Sequence, residues 1–199
     1  MVRKDTVETS QMSLPSCTRY NLYKCNEDDS CRYILGNSGS KPLLVCGLNP
    51  STATAIKSDP TCAKSEKVCM NNGYDSYIMT NLIPVRATDF NNLPEEIDPS
   101  EIQTNFSELI NLFLSRESVH AWAAWGASIT ARRYFVTTAI EIMEASRAYN
   151  VKWKHFGHLT KHGHPRHPSR LNYAWTLQDL DVERYLDQLW HLAGLPGKA

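Results

Sequence analysis

The sequence contains no apolar run of about 18 residues that would cross a membrane, and no apolar signal-peptide core follows its first residues. We therefore expect a soluble protein of the cytoplasm, without a membrane or an obligate protein partner. An excess of charge is absent too, since 21 basic side chains balance 21 acidic ones. Any attraction to nucleic acid must therefore come from a local surface.

Cysteine pairs of the Cys-x-x-Cys type are also absent. In a chain without a secretion signal, isolated cysteines are most simply reduced thiols, and a metal site is the alternative. The spacing of the first three fits no iron-sulfur pattern, so we expect no cofactor and no bound metal. The cysteines are Cys17, Cys25, Cys31, Cys46, Cys62 and Cys69.

Four segments are typical of strands buried on both faces, and helical patterns separate them. The strands are expected at residues 42–48, 76–82, 119–125 and 153–159, and helices at 58–70, 100–113, 128–148 and 177–192. This alternation predicts an α/β fold, a three-layer α/β/α sandwich around a mainly parallel four-stranded sheet. Residues 20–24 and 31–35 suit additional N-terminal edge strands.

The length of 199 residues fits one domain. We expect this domain over residues 16–199, after a polar, disordered tail at residues 1–15.

One long segment near the end of the chain has charge of a single sign. Between residues 145 and 178 there is no Asp or Glu, whereas Lys and Arg occur six times and His five times. Aromatic residues and prolines are interleaved with these cations. A solvated basic face is one interpretation, and a surface that contacts DNA phosphates is the other.

Four short motifs follow the four predicted strands. They are GLNP at residues 47–50, NLIPVR at 81–86, WG at 125–126 and HPSRL at 167–171. In their order and placement they resemble the active-site motifs of the uracil-DNA glycosylase superfamily, with Asn49 as in the mismatch-specific members and Arg170 in place of a proline. This resemblance covers residues 43–171 and implies removal of a base from DNA.

The chain is also similar to an uncharacterised bacterial and phage family of unknown function. The motifs that carry this second resemblance are NPSTA at residues 49–53, DPT at 59–61, RATD at 86–89 and GHPRHP at 163–168. This match is the more specific of the two, but it implies no activity.

The glycosylase resemblance implies a role for each candidate residue. Asn49 would hold the attacking water through its side-chain oxygen, and neutral His167 would donate a hydrogen bond to the departing base. Asn81 would read the edge of the flipped base, because an amide offers both a donor and an acceptor. His164 is a second candidate for the base contact.

Further residues are expected to contact DNA around this pocket. Leu171 would fill the stack after the base leaves, or would be a core leucine. The other DNA contacts are expected from Lys161, Arg166, Ser169 and Arg170.

The residue after Pro50 bears on the substrate. The uracil-specific enzymes have a tyrosine there that blocks groups on C5 of the pyrimidine, whereas this sequence has Ser51. We therefore predict a C5-modified pyrimidine, such as a hydroxymethylated or glycosylated base of phage DNA, and a role in anti-phage defence. Arg86 would line the widened pocket or form a structural salt bridge with Asp89.

Two other functions remain open. The domain is a non-catalytic nucleic-acid binder if Asn49 cannot replace a general base. It is a zinc metallohydrolase if the five histidines between residues 155 and 167 bind a metal, although no carboxylate lies near them in the sequence.

Overall fold

The chain folds around one seven-stranded sheet. The computed structural model describes residues 19–195, apart from the side chain of Phe90. Across the sheet the order is β1-β2-β4-β3-β5-β6-β7. The central strands β4, β3, β5 and β6 are parallel to one another, and the pairs β1-β2, β2-β4 and β6-β7 are antiparallel. The strands are β1 (Leu22–Cys25), β2 (Arg32–Gly36), β3 (Pro42–Gly47), β4 (Ser76–Asn81), β5 (Val119–Ala123), β6 (Val151–Phe156) and β7 (Leu177–Asp179).

Helices cover both faces of this sheet. Residues from α1 pack with one core cluster, and residues from α2, α3 and α4 pack with the other. No helix within residues 19–195 is long and apolar enough to cross a membrane. The α-helices of this part of the chain are α1 (Pro60–Asn71), α2 (Pro99–Leu114), α3 (Arg133–Ser146) and α4 (Val182–Ala193).

The α/β prediction is confirmed, but the sheet is mixed and has seven strands instead of four. The N-terminal edge strands form as expected. The error lies at the other edge, where a helix was expected from residue 177. There β7 pairs with β6, and α4 begins only after Asp181, whose side chain accepts a hydrogen bond from the Arg184 N–H at 3.1 Å. A strand of three residues is too short for its alternation to be recognised.

The long helix expected at residues 128–148 is also interrupted. Arg132 has extended backbone angles, φ −144° and ψ 143°, between a 3-10 helix (Ala127–Ala131) and α3. The predicted disordered tail at residues 1–15 lies outside the described residues.

Strand β3 explains why its sequence is apolar throughout. Leu43 and Val45 pack toward α1, while Leu44 and Cys46 pack toward the opposite helices. All four are at most 4% exposed. Burial of a Leu or Val side chain contributes roughly 1.5–3 kcal/mol, so this strand favours the centre of the sheet.

Strand order also decides where a ligand is expected. Strands β4 and β5 flank β3 on opposite sides. The helix after β3, α1, packs on one face of the sheet, and the helix after β4, α2, packs on the other. Such a reversal opens a crevice beyond the carboxyl ends of the strands. We call this the carboxyl edge. It carries the residues that follow Gly47, Asn81, Ala123 and Phe156.

The described cysteines are thiols, as expected. Cys25, Cys31, Cys46, Cys62 and Cys69 are all free. Burial raises the pKa of both Cys46 and Cys62 to about 12, so these two thiols stay protonated at neutral pH. Cys17 lies outside the described residues.

Candidate active site

His167 packs directly against Gly126 at the carboxyl edge. A Cβ atom on Gly126 would lie 2.8 Å from the Cβ atom of His167, which is closer than two non-bonded carbon atoms approach each other. Gly126 also has φ +75° and ψ −177°, a backbone conformation essentially restricted to glycine. The WG motif thus makes room for the histidine of the HPSRL motif.

The hydrogen bonds of His167 define its tautomer. The backbone N–H of Ser169 donates to His167 Nδ1 at 3.1 Å, and the Ser169 hydroxyl lies 2.9 Å from the same nitrogen. A nitrogen that accepts from a backbone N–H carries no proton, so the neutral ring is protonated at Nε2. Burial lowers the pKa of His167 below 6.5, which the Asp59 carboxylate partly offsets. At neutral pH, His167 is therefore an uncharged donor through Nε2.

Asn81 carries a buried donor without a partner. Its side chain lies at the end of β4, where a Cβ atom on Gly47 would come within 2.7 Å of Asn81 Oδ1. The residue is 3% exposed, and its Nδ2 makes no hydrogen bond within the described residues. Since buried polar groups are nearly always hydrogen-bonded, this amide is suited to a ligand that would satisfy it.

The side chain of Asn49 is held through its amide nitrogen. Its Nδ2 donates to the carbonyl oxygen of Ala87 at 2.8 Å and to that of Pro50 at 3.0 Å. These bonds use both amide protons and set the orientation of the group. The partly exposed side chain therefore has its oxygen, an acceptor, available for a water or ligand.

Arg86 fixes the loop that follows Asn49. Its Nη1 donates to the carbonyl oxygens of Ser51 at 2.6 Å and Ala53 at 2.9 Å, and its Nη2 pairs with Asp29 at 2.9 Å. The expected alternative of a salt bridge to Asp89 is wrong in its partner, because Asp29 on the β1-β2 turn takes that place. Ser51 itself lies at this loop, with its hydroxyl 3.1 Å from that of Thr88.

His164 faces the helices. It is 3% exposed, and its Nδ1 lies 3.1 Å from the Tyr185 hydroxyl on α4. Burial lowers its pKa below 6.5. His164 thus anchors the loop to α4, whereas His167, three residues later, lies at Gly126.

The expected DNA-contacting residues differ in solvent exposure and in the contacts that they already make within the protein. Lys161, Ser169 and Arg170 are exposed, and Leu171 is partly buried beside the α1 core cluster. The Arg166 guanidinium lies 5.2 Å from the centre of the Trp175 ring and donates to the His158 carbonyl oxygen at 2.7 Å. The Arg166 guanidinium therefore already makes contacts within the protein.

A family model matches the part of the chain that carries this site. It spans residues 32–169, more than half of the sequence, and is described as "Protein of unknown function (DUF1643)". The chain belongs to the DUF1643 family. No curated protein and no solved structure gives a significant match to the chain. For this DUF1643 chain, function must therefore be argued from the site.

Two residues at the site of the DUF1643 chain were missed as site residues. Asp59, 8% exposed, caps α1 by accepting from the Cys62 N–H at 2.8 Å, and its charge acts on His167. Lys64, on the next turn, brings its Nζ to 3.5 Å from the Ser169 carbonyl oxygen. The DPT motif was a signal for Asp59, although the sequence indicated only a helix cap. Nothing in the sequence pointed from Lys64 to Ser169.

An open cleft of about 510 Å³ lies at the opposite edge of the sheet in the DUF1643 chain. There the His120 Nδ1 lies 2.7 Å from the Tyr74 hydroxyl. This edge carries the amino ends of the parallel strands, and ligands of such sheets bind at the carboxyl ends. The four sequence motifs at residues 47–50, 81–86, 125–126 and 167–171 lie at or after the carboxyl ends of strands, so we place the candidate site there.

The histidines of the DUF1643 chain have separate partners. His155 Nδ1 lies 2.8 Å from the Gly157 carbonyl oxygen, while His164 and His167 contact Tyr185 and Ser169. Within residues 19–195, no group of three or more His, Cys, Asp or Glu side chains could hold a metal ion.

Proposed function

We propose that this protein is a DNA glycosylase, a monofunctional enzyme that hydrolyses the N-glycosidic bond of a flipped-out, C5-modified pyrimidine and leaves an abasic site. The four parallel strands at the centre of the sheet agree with the glycosylase sandwich that the resemblance implies. Asn81 ends β4, and Asn49 and His167 lie in the loops that follow β3 and β6. The edge therefore offers an acceptor, an amide and an uncharged donor.

The unpaired amide of Asn81 is the observation that carries this proposal. A pyrimidine presents a carbonyl oxygen on its Watson-Crick edge, which would accept from Asn81 Nδ2 and remove the cost of about 1–3 kcal/mol for an unmet buried donor. Because Asn81 is 3% exposed, the base would reach its amide only if the residues that cover it move aside. This requirement suits a base that has been flipped out of its helix.

His167 supplies what the departing base needs. When the bond between C1′ and N1 breaks, its electron pair goes to the base, and negative charge collects on O2. A neutral imidazole that donates through Nε2 stabilises this charge without losing its proton. Removing such a donor typically costs about 10²- to 10³-fold in rate.

Asn49 would position the water that attacks C1′. The oxygen of water bonds to C1′ as N1 leaves, and the excess proton passes to solvent, because a carboxamide is no general base. Slow turnover is the consequence.

The substrate follows from the loop that Arg86 holds. Ser51, Thr52 and Ala53 are small, so none of these three residues would place a ring beside C5 of a pyrimidine. A hydroxymethylated or glycosylated pyrimidine would fit there, as in the DNA of some phages. An abasic site in such a genome would serve anti-phage defence in the cytoplasm.

The direct experiment incubates the purified protein with oligonucleotides that carry one modified pyrimidine, uracil or an ordinary base, and cleaves abasic sites with alkali. We expect strand breaks with a C5-modified pyrimidine. His167→Ala and Asn49→Ala should each lose activity, whereas His162→Ala, at an exposed histidine of the same loop, should retain it.

Three outcomes contradict parts of this proposal. Efficient removal of uracil with no activity on any C5-modified pyrimidine overturns the substrate. Full cleavage by Asn49→Ala refutes the role in holding water. DNA binding without abasic sites on any base favours the alternative of a non-catalytic binder on the same fold.

A further inference from the structure

An exposed face of α1 lies beside the loop that carries His167. Lys64 and Lys67 are three residues apart and therefore share this face of the helix. Lys64 Nζ approaches the Ser169 carbonyl oxygen to 3.5 Å. Lys67 Nζ lies 4.2 Å from the centre of the Tyr173 ring. Helix α1 and residues 167–173 thus form one continuous surface next to the candidate site.

The unbalanced charge of this surface is positive. Residues 145–178 contain no acidic side chain, and Arg170 on the loop is exposed. The acidic residue Glu66 of α1 binds Arg19 at 2.5 Å, so its charge is largely balanced. Cations separated by about a hundred positions in the chain therefore face solvent together.

One exposed aromatic ring belongs to this surface. Tyr173 is 40% exposed. Trp175 is part of the scaffold instead, since a Cβ atom on Gly157 would lie 2.3 Å from its ring. An exposed ring with an ammonium group beside it and a second cation nearby on the same helix face is typical of surfaces that bind a single strand, where phosphates meet the cations and a base stacks on the ring.

We propose that Lys64, Lys67 and Tyr173 form a strand-binding surface that holds the DNA strand beside the pocket. The two ammonium groups contact phosphates, and the Tyr173 ring stacks on a base that flanks the target nucleotide. This inference rests on the proposed function, because it takes DNA as the partner. It adds α1 to the contacts, which the sequence had limited to residues 161–171.

The test measures binding of a fluorescein-labelled single strand of 15 nucleotides by fluorescence anisotropy, at several salt concentrations. Lys64→Gln/Lys67→Gln should weaken binding and reduce the slope of log K against log salt by about 1.4, since each phosphate contact on a single strand contributes about 0.7. Tyr173→Ala should weaken binding roughly 5- to 160-fold, and Tyr173→Phe should restore it because the ring remains.

The matched control is Lys41→Gln. The Lys41 ammonium also lies over an aromatic ring, 5.2 Å from the centre of Tyr74, but at the opposite edge of the sheet. Its loss should leave affinity and salt slope unchanged. Thermal melting should confirm that every variant is folded, as expected for side chains at the surface.

The outcomes separate this inference from the proposed function. An unchanged salt slope in the double lysine variant, together with Tyr173→Ala binding within twofold of the original protein, overturns the strand-binding surface even if bases are excised. Loss of binding in these variants while no base is ever released supports the surface and contradicts the glycosylase. A protein that binds no DNA at all overturns both.

Discussion

The Cβ atom of His167 lies 2.8 Å from the position that a Cβ atom would occupy on Gly126. The close approach joins the end of β5 to the loop after β6, so the placement of His167 depends on a glycine forty-one positions earlier. Any side chain at position 126 must push the imidazole away from the carboxyl edge. The role of Gly126 is therefore steric.

The first prediction concerns Gly126→Ala. We expect loss of base excision and an altered NMR signal of the His167 imidazole, because the added methyl group displaces this ring. The control is Gly73→Ala, which has φ +77° but no atom within 4 Å of the added carbon. It should cost about 1 kcal/mol of stability through its backbone conformation and keep the His167 signal. Equal effects of the two variants on that signal would contradict the steric role.

The second prediction sets stability against function at Asn81. Asn81→Leu removes a buried donor that has no partner, so the free energy of unfolding should rise by about 1 kcal/mol while base excision is lost. Asn105→Leu is the matched variant, because the Asn105 amide donates to the carbonyl oxygens of Asn81 and Leu82 at 3.0 and 3.2 Å. It should destabilise by about 1–3 kcal/mol. Urea denaturation measures both, and destabilisation by Asn81→Leu would count against the unpaired amide.

The third prediction distinguishes a structural Arg86 from one that selects the base. Arg86→Lys keeps the charge but loses the planar set of donors that reaches Ser51, Ala53 and Asp29 together. Excision should fall by a similar factor for every substrate base, because the loop moves as a whole. Single-turnover rates on several modified pyrimidines provide the test. A changed ranking of bases would place Arg86 in contact with the substrate.

The fourth prediction is loss of stability in acid. Burial lowers the pKa of His155 and His164 below 6.5, so the unfolded chain takes up these protons first as the pH falls. The free energy of unfolding should therefore decrease as the pH drops below about 6.5, down to the folded pKa values. Replacing both histidines with Asn, which does not titrate, should reduce this dependence in urea denaturation between pH 7.5 and 5, and part of it should remain because burial also lowers the pKa of His167. An unchanged slope would rule out these two groups.

The fifth prediction separates the charge of Asp59 from its role as a helix cap. Asp59→Asn keeps an equally good N-cap but removes the negative charge that raises the pKa of His167. That pKa should fall further, which an NMR titration of the imidazole measures, while α1 and the melting temperature change little. Asp98→Asn, at the cap of α2, is the control and should leave His167 unaffected.

Much of the fold was predictable because its determinants are local. The apolar run of β3 ends at Gly47, and the cap formed by Asp59 starts α1, as the sequence indicates. Strand β7 was not predictable, since its three residues become a strand only by pairing with Lys154 and its neighbours on β6. Its identity depends on a partner some twenty-five positions away.

The sequence by itself determined which residues end the parallel strands, because a buried strand must be apolar on both faces and must stop at a polar or turn-forming residue. Asn49 and Asn81 are found in this way. Tertiary structure alone decided which residues far apart in the chain contact one another. Arg86 binds Asp29 across 57 positions, and Lys64 approaches Ser169 across 105. Periodicity and propensity report only on neighbours along the chain, whereas these contacts arise from the positions of the strands within the sheet.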